Sequence, residues 1–299
     1  MLRLFSKVKC SVSILMVVML TLCLSQTVMA TENENIGSIK LSYQVEGVEF
    51  DLYRVGTRTE EGDIVLTDEF SVYKVDLESE NSASTLASYI ESDNKQPLTT
   101  AVTNKDFDIN FSDLFEGVYL IIGSVVTVDD VTYTAMPVMV SLPYWDNDTL
   151  VWDLEVNGKY EKNTSEENTE VSVLKVWKDE GNEKSRPEEI TVSLTKNGEV
   201  YDTVKLNSKN NWKYLWSNLD ENYKWSIIEQ NVASGYEVNI QQNDKTFVIT
   251  NTYKSTSDMP QNSTSTLPQT GQLWWPVYAF AFVGLCFIVV GVIRRRKNI

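Results

Sequence analysis

Three separate strand patterns each carry one polar residue on an otherwise apolar face. Lys175 shares its face with valines and a tryptophan in VSVLKVWK, Glu229 with tryptophan and isoleucine in YKWSIIEQ, and Asn251 with phenylalanine and isoleucine in FVITNTY. An amine, a carboxylic acid and a carboxamide are together equipped for acyl transfer. The amine attacks the amide carbon, ammonia leaves, and an isopeptide bond remains.

Burial would prepare these groups for that reaction. It lowers the pKa of a lysine and raises that of a glutamate, so both become neutral. Fixed proximity supplies effective molarities on the order of 10⁵ M or more. The residues therefore predict a cross-link between Lys175 and Asn251, with Glu229 as the proton shuttle. The alternative is an edge strand from which Lys175 extends to water and stays unlinked.

Cysteine usage is consistent with a different kind of cross-link. Cys10, Cys23 and Cys286 are the three cysteines of the chain, and none lies in residues 31–271, which we expect to be exported. A bond between positions 175 and 251 closes a loop of 76 residues. By analogy with disulfides, such a loop closure stabilises the fold by roughly 4–5 kcal/mol.

Composition excludes several classes of function. The chain has no histidine, which argues against serine–histidine and cysteine–histidine catalysis and against most zinc sites. Seven of its 26 basic residues lie in the two terminal segments, which leaves 19 against 42 acidic residues, a formal charge of −23. That charge argues against nucleic acid or anionic lipid as a partner. We expect no enzyme activity beyond self-cross-linking, no cofactor and no metal.

Both ends of the chain have the character of targeting segments. Residues 1–30 carry early basic residues, a short apolar run and a V-M-A triplet, which predicts a signal peptide cut after Ala30 rather than a membrane anchor. Residues 273–293 carry no charge, and at about 1.5 Å per residue they could cross a bilayer core of roughly 30 Å as a helix. Trp274 and Trp275 lie at one end of this span and a basic tail follows the other end, so the rest of the chain is predicted to lie outside.

Directly before the span stands LPQTG, formed by Leu267, Pro268, Gln269, Thr270 and Gly271. This motif, span and basic tail together, over residues 267–299, resemble the cell-wall sorting signal of Gram-positive bacteria. The resemblance implies that a sortase cuts between Thr270 and Gly271. The threonine is then joined to peptidoglycan or to another pilin subunit, and the chain is in the membrane only before sorting. Residues 254–266, rich in Ser, Thr, Asn and Pro, predict a flexible spacer through the wall.

Between the ends the sequence predicts an all-β protein. Strand-forming residues with turns every 8–12 positions favour two immunoglobulin-like or prealbumin-like β-sandwich domains in tandem, at 36–160 and 171–253. The polar stretch 161–170 is the expected linker. Asn197-Gly198 predicts a tight hairpin turn, and residues 83–92 predict a short helix within an insertion.

Five segments of the second domain resemble the collagen-adhesin B-type (Cna B-type) domain of Gram-positive surface proteins and pilins. They are VSVLKVW, RPEEITVSL, NNWKYLWSNL, SGYEV and VITNTY. The family carries an intramolecular Lys–Asn isopeptide bond with an acidic catalyst. The resemblance implies these roles for Lys175, Asn251 and Glu229.

In the first domain, the segments GVEFDLYRVG, FSDLFEGVYLIIG, MPVMVSLPYWDND and WDLEVNGKYE resemble, more loosely, the N-terminal domain of Gram-positive pilins, also a B-type sandwich. Here Lys40 lies on the polar side of its strand, and Gly123 occupies the position that would match the catalytic acid, so we expect no B-type isopeptide bond. The family's pilin motif is a Pro-Lys pair near the end of this domain. Lys159 aligns with the lysine of that pair, but the proline is absent. Lys159 is therefore a candidate acceptor for pilus linkage, and the alternative is a solvated linker lysine.

Two functions fit these features. One is a minor, basal pilin subunit or stalk module, since two small domains are few for a pilus shaft. The other is a stand-alone adhesin whose first domain binds a host or cell-surface ligand. In both, the protein is secreted and attached to the cell wall.

Overall fold

The computed structural model describes residues 36–147, 149–164 and 168–254. The predicted signal peptide, nearly all of the spacer, the LPQTG motif and the predicted span lie outside the described residues. Within the described residues, no helix is both long and apolar enough for a membrane crossing. We call residues 36–164 the N-terminal half and residues 168–254 the C-terminal half.

The N-terminal half contains thirteen of the strands found in the described residues. Its strands form a three-stranded sheet (β12-β1-β5), a second three-stranded sheet (β13-β8-β7), a five-stranded sheet (β3-β2-β6-β9, with β4 also on β2) and the β10–β11 hairpin. The bounds are β1 Gly37–Ser42, β2 Glu49–Arg58, β3 Ile64–Leu66, β4 Thr99–Val102, β5 Asp108–Leu114, β6 Gly117–Gly123, β7 Val125–Val128, β8 Val131–Ala135, β9 Val138–Leu142, β10 Tyr144–Asp146, β11 Thr149–Val151, β12 Asp153–Asn157 and β13 Tyr160–Asn163.

The C-terminal half contains two sheets. Their orders are β17-β14-β20-β19 and β16-β15-β18, and the first and last strands of the half, β14 and β20, pair in parallel. The bounds are β14 Asn168–Lys178, β15 Glu189–Lys196, β16 Glu199–Asn207, β17 Lys213–Asp220, β18 Trp225–Gln230, β19 Tyr236–Asn243 and β20 Thr246–Tyr253. Asn197 and Gly198 both have positive φ in the predicted hairpin turn, which suits the mirror-image turn type.

Every residue of β6 is buried, because the strand has an apolar layer on each side. Tyr119 and Ile121 belong to the core between the sheets of the N-terminal half. Val118, Leu120 and Ile122 belong to a second core that also includes residues of the C-terminal half. The uniform apolar sequence GVYLIIG follows from this two-sided burial.

A single α-helix among the described residues, α1 (Ser82–Ser92), lies in the second core, and its existence agrees with the predicted helix. Besides α1, there are short 3₁₀ helices at Ser71–Tyr73, Glu183–Ser185 and Ser208–Asn210. Leu86 and Ile90 are fully buried, and the helix contacts strands of both halves. The two halves therefore share an apolar core and form one compact unit that ends at Tyr253.

The segment expected as a linker, 161–170, is shorter in the structure. Strand β13 continues to Asn163, and β14 begins at Asn168. The polar residues of β13 satisfy their backbone groups by pairing with β8, from Thr132 to Ala135. A polar sequence therefore does not exclude a strand here, because the strand is held by main-chain pairing. The predicted ten-residue linker is corrected, since its first and last residues belong to β13 and β14.

Candidate functional site

The site begins with Lys175 on an inner strand. Strand β14 lies between β17 and β20, so the edge-strand alternative is wrong. Val171, Val173 and Lys175 alternate inward as their spacing predicts, and Lys175 is only 4% exposed. Its amine donates a hydrogen bond of 2.8 Å to the carbonyl of Val176.

The structure places Glu229 next to both Lys175 and Asn251. Glu229 is 1% exposed and Asn251 is fully buried. The Asn251 amide donates to Glu229 Oε1 at 2.8 Å, while Glu229 Oε2 lies 3.9 Å from Lys175 Nζ. One carboxyl group therefore faces the carboxamide nitrogen with one oxygen and the amine with the other.

Two oxygens of this cluster have no hydrogen-bond partner within the described part of the chain. They are Glu229 Oε2 and Asn251 Oδ1, both buried. A buried unpaired acceptor is costly, and such groups in folded proteins call for an explanation. A protonated Glu229 and an amine approaching Asn251 would each relieve that cost.

Burial dominates the ionisation of the pair. It lowers the pKa of Lys175 and raises the pKa of Glu229, and their mutual attraction only partly offsets both shifts. Asp179 raises and Arg186 lowers the pKa of Lys175 by smaller amounts. The neutral amine beside the neutral acid is thus favoured relative to the same groups in water, which suits nucleophilic attack.

Aromatic and charged side chains pack beside the Lys175 amine. The Lys175 amine lies 3.9 Å from the centre of the Trp177 ring, which packs edge-on against Tyr236 at 5.3 Å. Asp179, also buried, accepts two hydrogen bonds from Arg186 and one of 2.8 Å from Tyr236. The sequence analysis did not single out Asp179, which follows the last residue of β14, although its even spacing from Lys175 could have indicated it.

The corresponding positions of the N-terminal half differ. Lys40 lies on the solvent side of β1, with its side chain 44% exposed and 3.3 Å from Asp108. A Cβ atom at Gly123 would come within 2.5 Å of the Phe50 ring and 2.6 Å of Ala135. A carboxylic acid therefore cannot occupy that position without moving its neighbours.

Lys159 lies between β12 and β13 and is exposed. Its carbonyl accepts a hydrogen bond of 2.9 Å from Met136, and the adjacent Gly158 donates to Ser42 at 2.9 Å. The backbone at this position is therefore held in place, while the side chain is open to solvent.

Two family models match this chain and define the class of protein. Residues 171–252 match the family described as Cna protein B-type domain, and residues 29–164 match the Gram-positive pilin subunit D1, N-terminal domain. The chain thus combines a Gram-positive pilin D1 domain with a Cna B-type domain. Both families consist of extracellular, non-enzymatic surface proteins of Gram-positive bacteria.

The chain is also similar to individual proteins. A collagen adhesin of Staphylococcus aureus is 34% identical over 93 residues, which are 28% of this chain and 8% of the adhesin. A solved B repeat unit of the S. aureus collagen-binding protein covers 74% of this chain and 99% of its own, at 20% identity and TM-score 0.29. The full-length major pilin SpaD of Corynebacterium diphtheriae covers 73% of this chain and 64% of its own, at 15% identity and TM-score 0.30.

Proposed function

We propose that this protein is a sortase-processed, wall-anchored surface protein, a minor pilin subunit or stalk module stabilised by an isopeptide bond between Lys175 and Asn251. The observation that carries the proposal is the buried cluster of Lys175, Glu229 and Asn251. Its distances of 2.8 and 3.9 Å from one carboxyl group support a single proton shuttle for both partners. The matches to pilin and Cna B-type families support the surface role.

The proposed reaction needs no further reactant. The neutral Lys175 amine attacks Cγ of Asn251, and a new C–N bond forms as the bond from Cγ to Nδ2 breaks. Glu229 gives a proton to the leaving nitrogen through Oε1 and accepts one from the attacking amine through Oε2. Ammonia leaves, and the carboxylic acid is restored.

Intact mass spectrometry of residues 31–254 tests the cross-link. The wild-type chain should be lighter than its sequence by one ammonia, as should the control Lys40→Ala after allowance for the substitution. Lys175→Ala and Glu229→Ala should each have the full mass of their sequences. A wild-type mass equal to the sequence mass would contradict the proposed cross-link.

Wall attachment is tested by cell fractionation of the full chain in its host. The LPQTG motif, span and basic tail are the sequence features that support sorting. Thr270→Ala should move the protein from the lysozyme-released wall fraction to the membrane. The control Thr266→Ala, a change of the same type just upstream, should leave it in the wall. Unchanged wall attachment of Thr270→Ala contradicts sorting at this motif.

The pilus role is tested by the mass of the wall-released protein. A pilus subunit should form a ladder of high-mass, SDS-resistant species, and Lys159→Ala should abolish or shorten it if Lys159 is the acceptor. Lys162→Ala, three residues further along, is the matched control. An unchanged ladder with Lys159→Ala indicates another acceptor lysine. A wild type without a ladder favours the stand-alone adhesin.

A further inference from the structure

The C-terminal half leaves two strand edges open on one side, and α1 of the N-terminal half covers both. Strand β18 ends one sheet and β19 ends the other, and within the described residues neither has a further strand on its outer side; β19 has only an isolated parallel bridge there, between Val238 and Val75. Helix α1 contacts both strands. An uncovered edge would present unpaired backbone groups to solvent and to other chains.

Two side chains of α1, one turn apart, take the place of a missing strand. Thr85 Oγ1 accepts from the Ile240 amide at 2.9 Å and donates to the Ile240 carbonyl at 3.3 Å. Tyr89 Oη accepts from the Glu229 amide at 3.2 Å and donates to the Glu229 carbonyl at 2.9 Å. Each hydroxyl therefore satisfies both outward backbone groups of one edge residue.

The residue that Tyr89 holds is the acid of the proposed cross-link. Glu229 is bonded through its backbone to the N-terminal half and through its side chain to Asn251. The tyrosine ring is itself fixed by stacking on Tyr73, with centroids 5.1 Å apart and an interplanar angle of 23°. Tyr73 in turn donates a 2.8 Å hydrogen bond to Asp93.

Other contacts anchor the same segment on the C-terminal half. Glu91 forms an ion pair with Lys224, at 2.6 and 2.9 Å from its two oxygens, and both side chains are mostly buried. Lys74 donates to the Val232 carbonyl at 2.6 Å and accepts from the Val238 amide at 2.9 Å through its own carbonyl. The segment from Lys74 to Glu91 therefore spans the open side from β18 to β19.

We propose that Tyr89 is a positioning residue for cross-link formation: from the N-terminal half it fixes the backbone of Glu229, so that the bond between Lys175 and Asn251 forms efficiently only after α1 has docked. This inference rests on the proposed cross-link. The cross-link is then a late event of folding that depends on both halves. The tyrosine touches neither reacting group and acts only through the strand that carries the acid.

The chain offers a matched pair of variants. Tyr89→Phe removes the hydroxyl at Glu229, and Thr85→Val removes the equivalent hydroxyl at Ile240, on a strand without a proposed site residue. Both should lower the melting temperature equally in a Lys175→Ala background, where no cross-link can form. This background shows that each variant folds and measures its purely structural effect.

The decisive measurement is the rate of ammonia loss by residues 31–254 during cell-free synthesis, followed by intact mass. Tyr89→Phe should slow it by about fivefold or more, the factor that corresponds to one net hydrogen bond. Thr85→Val should keep the wild-type rate. Equal slowing by both variants, or no slowing by Tyr89→Phe, overturns the positioning role. A wild type that never loses ammonia refutes the cross-link itself.

The pH dependence of the rate separates positioning from stabilisation. The charged groups around the reacting pair are Lys74, Asp179 and Arg186. Tyr89→Phe keeps all three groups. In the wild type, the rate of ammonia loss should be constant over the pH range in which Lys175 and Glu229 share one proton. In Tyr89→Phe, water admitted beside a displaced Glu229 favours the charged forms of Lys175 and Glu229. The plateau of constant rate should therefore extend over a wider pH range, and the rate on it should be lower. A plateau of wild-type height and width contradicts the proposal.

Discussion

The two halves of the molecule each contain a lysine on their first strand, and the two lysines have opposite environments. Lys175 of β14 is buried beside an acid and a carboxamide, whereas Lys40 of β1 is half-exposed beside Asp108. The difference is one of parity, because a shift of one residue along a strand moves a side chain to the other face. Chemistry on a β-sandwich therefore depends first on which face a residue occupies.

The second difference lies at the position of the acid. The C-terminal half has Glu229 there, fixed from two sides, while Gly123 of the N-terminal half fits against Phe50 and Ala135 with no space for a side chain. The C-terminal half thus has the three groups of an acyl transfer, and the N-terminal half has close packing at the position matched to the acid. The following predictions test this contrast, from the largest effect to the smallest.

Lys175→Ala should cost the most stability. It opens the proposed 76-residue loop, which is worth roughly 4–5 kcal/mol, and leaves Glu229 buried without its partner. Denaturant unfolding of residues 31–254 should show a much lower midpoint, and trypsin should cleave the variant sooner. An unfolding midpoint equal to that of the wild type would mean that the C-terminal half is not stabilised at this lysine.

Asp179→Asn should cost about 1–3 kcal/mol at neutral pH, because charge-assisted hydrogen bonds from Arg186 are lost. These bonds hold the pKa of Asp179 below its usual range. A depressed pKa contributes stability above the unfolded value of about 3.9, and this contribution is lost as pH falls through the folded value. Unfolding free energies of the wild type and the variant should therefore converge in acid. A gap independent of pH would contradict this ionic role.

Gly123→Ala tests the close packing of the N-terminal half. The added methyl group would overlap with Phe50 and Ala135, and overpacking of this kind costs about 1–3 kcal/mol. The melting temperature should fall, while the mass of the C-terminal cross-link should be unchanged. A melting temperature equal to that of the wild type would show that this core has room for the acid that the sequence lacks.

Lys40→Ala should have the smallest effect. Its ion pair with Asp108 is solvent-exposed, and such pairs contribute about 0–1 kcal/mol. The unfolding midpoint should stay close to that of the wild type and depend little on salt. A loss comparable to that of Lys175→Ala would remove the distinction between the two lysines.

Sequence alone predicts much of this site, because strand alternation is a local property. The inward faces of Lys175, Glu229 and Asn251 follow from period-two spacing, and the Asn197-Gly198 turn follows from its dipeptide. Neither feature requires knowledge of distant residues. That Glu229 lies beside both Lys175 and Asn251 depends on contacts between residues distant in the sequence, which the resemblance to a known family implied and the structure shows.

The docking of α1 was not accessible in the same way. The helix was predicted, but Thr85 and Tyr89 bind backbone groups of Ile240 and Glu229, and backbone groups carry no sequence signature. The buried face of α1 also contains polar residues, so the helix lacks the continuous apolar stripe that usually indicates a docking surface. The same applies to β13, whose polar residues pair through the main chain.

The parallel pairing of β14 and β20 has a mechanical consequence. The chain enters the C-terminal half at the start of β14 and leaves it at the end of β20, and these points lie at opposite ends of seven paired positions, from Ser172–Thr246 to Lys178–Thr252. Until Lys175 and Asn251 are joined, a pulling force applied to the two ends of this half therefore shears the connecting hydrogen bonds together and cannot unzip them one at a time. Strands under shear share the force, and this half should resist extension far better than a hairpin of equal length pulled from its open end.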